Sequence, residues 1–79
     1  MKLAFIPDII KFEEEFYLEG NSIKEIIEKL KEECPVNCDF YVYEIIGPYE
    51  NQYVGIIRLE ENCEPKWLYT SNRVKYKYD

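Results

Sequence analysis

The sequence predicts an α+β domain, a three- to four-stranded antiparallel sheet with one main helix (residues 22–33) packed on a face. Two observations carry that expectation. Ile23, Ile26, Ile27 and Leu30 fall at i, i+3, i+4 and i+7, the apolar stripe of an amphipathic helix. From Asp39 onward the hydrophobic period drops to two, through segments bounded by Gly47-Pro48 and by Glu61–Pro65. A chain of 79 residues with 47% hydrophobic and 16% aromatic content is one domain, 1–79, whose core rests on large side chains.

From the N-terminus, residues 2–6 alternate weakly and are compatible with a strand that Pro7-Asp8 closes. Residues 9–19 fit two readings. As a short helix, Ile9, Phe12 and Phe16 share a face, with Tyr17 at its margin, Asp8 as cap and Gly20 as the left-handed residue past the end. As a strand, Phe12, Glu14, Phe16 and Leu18 point one way, and Glu13, Glu15, Tyr17 and Glu19 the other. Three consecutive glutamates favour the helix by propensity, whereas Phe16-Tyr17-Leu18 favours the strand. The next element is better specified. Ser22 is an N-cap, and Glu25 three residues on completes a capping box by reaching back to the N–H of the cap. Pro35 ends the helix, because it disfavours helical geometry at Cys34 and lacks an N–H.

Phe16 to Leu30, with its Gly20-Asn21-Ser22 turn and Glu25-Ile26, resembles two families. One is the helix-turn-helix DNA-binding domains, whose first two helices often carry a Gly-x-Ser-x-x-Glu-Ile turn; that likeness implies a helix before Gly20 and a recognition helix after Cys34–Cys38, where this chain instead turns to β-type sequence. The other is the β-grasp, ubiquitin-like sulfur carriers, to whose strand-to-helix junction the same residues are similar. That likeness implies a strand before Gly20 and activation at a C-terminal Gly-Gly, where this chain has Tyr76-Lys77-Tyr78-Asp79.

Residues 39–46 form the clearest strand, with Phe40, Val42 and Ile46 on one face and Tyr41, Tyr43 and Ile45 on the other. A loop of about five residues leads into a second strand over 52–60, an antiparallel hairpin. There the strict alternation sets Val54 and Ile56 against Tyr53, Ile57 and Leu59. Lys66–Tyr69 opens a third strand, and Ser71-Asn72 is a turn or a bulge before Arg73–Tyr78.

Charge and cysteine usage narrow the function. Sixteen acidic residues against ten basic give a net charge of -6, and the excess is concentrated: residues 1–39 hold ten acids and five bases, residues 40–79 six and five. A field of that sign repels nucleic acid, so no direct nucleic-acid contact is expected, and it attracts a basic protein. No apolar run approaches a membrane span, Met1–Pro7 is too short for a signal peptide, and a cytoplasmic chain is expected. The three cysteines, Cys34, Cys38 and Cys63, are expected to be reduced. With no histidine and a Cys-x-x-x-Cys spacing at Cys34/Cys38, no metal or other cofactor is expected.

Catalysis needs a nucleophile with its base, a proton donor tuned to neutral pH, or a metal. Ser22 and Ser71 read as a cap and a turn residue, the glutamate runs as solvated faces, and the chain as not an enzyme. One helix covers one face of such a sheet. The tyrosine-bearing face then needs a second helix, a second copy of the chain as a homodimer, or a partner.

The function expected is therefore a small protein-interaction module, of the kind with which a phage or mobile element blocks a nucleic-acid-handling or defence protein through an acidic surface. Its contact residues are Glu13, Glu14, Glu15 and Glu19, with Tyr41 and Tyr43 as anchors. The alternative is a homo-oligomeric small-molecule or nucleotide binder. It would use Arg73, Lys75 and Lys77 with Tyr76 and Tyr78 as stacking surfaces.

Overall fold

A computed structural model describes residues 1–8, 15–33 and 37–71. Among the described residues, five strands and one helix succeed one another as β1 (Lys2–Pro7), β2 (Phe16–Glu19), α1 (Ile23–Glu33), β3 (Asp39–Gly47), β4 (Glu50–Arg58) and β5 (Lys66–Thr70). They form one sheet in the order β2-β1-β3-β4-β5, antiparallel at every ladder. The α+β expectation holds, with five strands in place of three or four.

The ambiguity over residues 9–19 is settled for its described part. Phe16–Glu19 is a strand, because β1 offers it a ladder in which Phe5 opposes Phe16 and Leu3 opposes Leu18. Phe16 and Leu18 pack toward the core and Tyr17 points away, the alternation of the strand reading. The helix before Gly20 that the helix-turn-helix likeness implies is thus replaced by an edge strand; residues 9–14 lie outside the described residues.

Helix α1 starts as its sequence requires. The Glu25 N–H donates to Ser22 Oγ (3.2 Å), and the Ile26 N–H to the Ser22 carbonyl (3.1 Å). The Glu25 carboxylate reaches one residue further back than a capping box specifies and accepts the Asn21 N–H at 2.9 Å. Ile23, Ile26, Ile27 and Leu30 are all buried, each worth on the order of 2 kcal/mol of transfer free energy. They meet Leu3 and Phe5 of β1, Phe40 and Val42 of β3, and Val54, Ile57 and Leu59 from β4 onward. At the centre Phe40 makes edge-on contacts with Phe5 (centroids 6.4 Å, 88°) and Phe16 (6.2 Å, 76°).

Three details of the β3–β4 region differ from the simple alternation. The hairpin is tighter than a five-residue loop, since the strands run to Gly47 and Glu50 and leave only Pro48-Tyr49 between them. The register shifts where Val42 opposes Gly55 and Tyr43 opposes Tyr53, so Val54 is an extra residue, a β-bulge. That bulge regroups the strand: Val54, Ile57 and Leu59 face the helix, and Ile56 joins Tyr53 on the far side. A second shift makes Ile46 an extra residue between the pairs Ile45–Asn51 and Gly47–Glu50. Ile46, expected on the face of Phe40 and Val42, does not join them in the core and is 52% exposed.

Candidate functional site

Strand alternation gives the sheet a second face, opposite α1, and tyrosine dominates it. On β1 the buried Leu3 and Phe5 turn toward the helix, so Lys2, Ala4 and Ile6 turn away. The pairings then read across the sheet. Tyr17 opposes Ala4, Ala4 opposes Tyr43, and Tyr43 opposes Tyr53 in one row. Ile6, Tyr41, Ile56 and Tyr69 form the next. The Tyr43 and Tyr53 rings lie 5.4 Å apart at 54°, and Tyr53 stacks on Tyr69 at 6.0 Å and 20°. Three strands thus contribute to one continuous aromatic run.

Among the described residues the one helix packs on the other face. Tyr41, Tyr43 and Tyr53 are half-buried by their neighbours within the sheet, while Tyr17 and Tyr69 are more than half exposed. Burial pushes the Tyr53 hydroxyl above its usual pKa, and the hydroxyls of Tyr69, Tyr43 and Tyr41 push it the same way.

The β2 side of this face is charged. Tyr17 donates its hydroxyl to the Glu15 carboxylate, and this hydrogen bond raises the Tyr17 pKa, with a smaller contribution from burial. Lys2 Nζ sits 5.3 Å from the centre of the Tyr17 ring, a cation–π contact. Glu19 ends β2, exposed, and its carbonyl accepts Lys29 Nζ at 2.5 Å, which ties α1 to that edge.

Of the contact residues expected from sequence, the structure brings Glu15 into hydrogen-bond contact with the tyrosine face and puts Tyr41 and Tyr43 on that face. Glu19 stands at the same edge of the sheet. Glu13 and Glu14 lie outside the described residues, as do Arg73, Lys75, Tyr76, Lys77 and Tyr78 of the alternative site. Sequence reasoning missed Tyr17, Tyr53 and Tyr69 as members. Each sits at an alternate position of a strand segment, but only the pairing of β2, β4 and β5 with their neighbours assembles them.

The other chemistry-bearing groups are dispersed. Cys38 is half-buried against the core and Cys63 is exposed in the β4–β5 loop. No group of three or more potential metal ligands occurs among the described residues. Lys31 Nζ binds Glu64 at 2.8 Å, which fastens that loop to α1, and Asp39 binds Arg58 Nε at 2.8 Å across the β3–β4 ladder. These exposed pairs are each worth about 1 kcal/mol or less. No helix among the described residues is long and apolar enough to cross a membrane. Comparison with protein-family models, curated proteins and solved structures gives no match.

Proposed function

We propose that this chain is a non-enzymatic protein-interaction module that docks through the tyrosine face, with the acidic β2 edge turned toward a basic surface of its partner. The observation that carries the reading is the Tyr43–Tyr53–Tyr69 run, an aromatic surface organised across three strands on the face opposite α1. Tyrosine supplies large contact area with few rotors to immobilise and keeps a hydroxyl for the wet rim, which is why interfaces are rich in it. A net charge of -6, with Glu15 and Glu19 beside that face, speeds encounter with a cationic partner and disfavours nucleic acid. A small acidic surface of this kind suits an inhibitor that occupies the basic groove of a nucleic-acid-handling protein.

Native mass spectrometry of the chain isolated from its source cells tests the reading. A stoichiometric complex with a second protein is expected, weakened by the double variant E15K/E19K, most strongly at low salt where charge attraction is least screened. Recovery of the chain alone, or with only a small molecule bound, overturns it.

A further inference from the structure

The β3–β4 hairpin ends in an apolar tip that no described residue covers. The β1 ladder along β3 stops at Glu44, and among the described residues the β5 side of β4 stops at Val54, where the Ser71 N–H donates to the Val54 carbonyl. Beyond those points the hairpin continues, among the described residues, as a two-stranded ribbon to Gly47 and Glu50. At its apex Tyr49 is fully exposed and Pro48 is exposed, and Ile46, at the second bulge, is 52% exposed.

The exposed side chains of the tip add nothing to the core, since Tyr49 and Ile46 lie outside the buried cluster. Pro48 stands where a turn accepts proline, and neither Pro48 nor Tyr49 has a positive φ. Pro48 fixes its own φ and stiffens the backbone that presents Tyr49, so holding the tip in place costs little entropy on binding. The local charge selects the receptor. Residues 44–51 contain Glu44 and Glu50 and no cation, with Glu50 exposed directly beside Tyr49. An anionic membrane or a nucleic-acid groove repels such a tip, whereas a protein pocket with lysine or arginine at its rim complements it.

Resting on the protein-interaction reading above, we infer that Tyr49, flanked by Ile46 and Pro48, is the insertion anchor of the module. It enters an apolar pocket on the partner protein whose basic rim meets Glu50. The tyrosine face supplies the broad contact, and the tip supplies the central buried residue that dominates affinity.

Photo-crosslinking with benzoylphenylalanine placed at position 49, at 69 on the tyrosine face, or at 24 on the solvent side of α1 tests this in extracts of the source cells. Mass spectrometry identifies the adduct and its peptide, and the purified adduct protein is then titrated with wild-type, Y49A and K24A chains. An adduct from position 49 on an apolar depression edged by lysine or arginine is expected, with Y49A binding at least roughly tenfold more weakly and K24A unchanged. Because Tyr49 is fully exposed at the apex, Y49A keeps the wild-type fold, which Trp67 fluorescence verifies. Binding by Y49A within twofold of wild type overturns the anchor, as does sedimentation of the wild-type chain with anionic or zwitterionic vesicles. If position 69 cross-links and 49 does not, the anchor fails and the interaction reading stands; if neither cross-links to a protein, both fail.

Discussion

The two faces of the sheet are built from the same strands and differ mainly in one functional group. Phe40 and Tyr41 are chain neighbours in β3, yet the Phe40 ring is sealed between Phe5 and Phe16, while Tyr41 shares the opposite face with Ile56 and Tyr69. The same switch separates Phe16 from Tyr17 in β2. On the helix side the three phenylalanine rings lack a polar atom and meet edge to face, with Phe5 and Phe40 fully buried. On the far side each ring carries a hydroxyl and remains partly wet. Both faces are aromatic, so a count of aromatic residues does not distinguish core from contact surface. The hydroxyl, placed by the pleat, does.

That contrast predicts very different sensitivities. Phe40→Ala removes a fully buried ring from the centre of the core and is expected to cost about 3–5 kcal/mol, a large share of the roughly 4–12 kcal/mol available to a domain of this length. Tyr69→Ala, on a residue more than half exposed at the outer strand, is expected to cost about 1 kcal/mol or less. Urea unfolding followed by Trp67 fluorescence measures both. Equal losses would mean that the far face is a second core rather than a surface.

Gly55 is where the two faces are held in register, and it offers the next largest effect. A Cβ built there would lie 2.1 Å from the Tyr69 carbonyl oxygen and 3.0 Å from Thr70 Cα, both backbone atoms of β5 that no rotamer change can move. Gly55→Ala must therefore push β5 off the sheet, at more than about 1 kcal/mol. The loss is expected to be local. Hydrogen exchange at Ser71, whose N–H donates to the Val54 carbonyl at 2.7 Å, should accelerate far more than exchange within β1 and β3. Uniform acceleration would show that β5 does not open separately.

Legibility in the sequence depends on the range of each interaction. Helix α1 is specified locally, by the Ser22 and Glu25 caps and a 3.6-residue stripe, and it forms where the sequence puts it. The strand at Phe16–Glu19 is not specified locally. Glutamates upstream argue for a helix, and only the distant partner β1, with Phe5 opposite Phe16, decides. The bulges at Val54 and Ile46 are equally silent in sequence, because an extra residue in a strand changes no propensity, yet each reverses the facing of the residues beyond it. Glu15, Tyr41 and Tyr43 could be proposed as contact residues from composition and alternation. Tyr17, Tyr53 and Tyr69 required the strand order β2-β1-β3-β4-β5, which no short window contains.

The smallest expected effect tests the far face alone, through pH. Burial, then the neighbouring Tyr69, Tyr43 and Tyr41 hydroxyls, raise the Tyr53 pKa above its ordinary value near 10.0, so the folded chain holds this proton more tightly than the unfolded chain does. The stabilisation is complete below the unfolded pKa and is lost as pH rises through the folded one, which places the decline on the alkaline side of about pH 10. Tyr53→Phe keeps the ring between Tyr43 and Tyr69 and removes the proton. Its unfolding free energy should match wild type near neutrality and fall less steeply above about pH 10, and tyrosinate absorbance should lose its most alkaline component. If that absorbance component is unchanged in Tyr53→Phe, Tyr53 is not the buried centre of the stack. The far face would then be a set of independent solvated side chains rather than one organised surface.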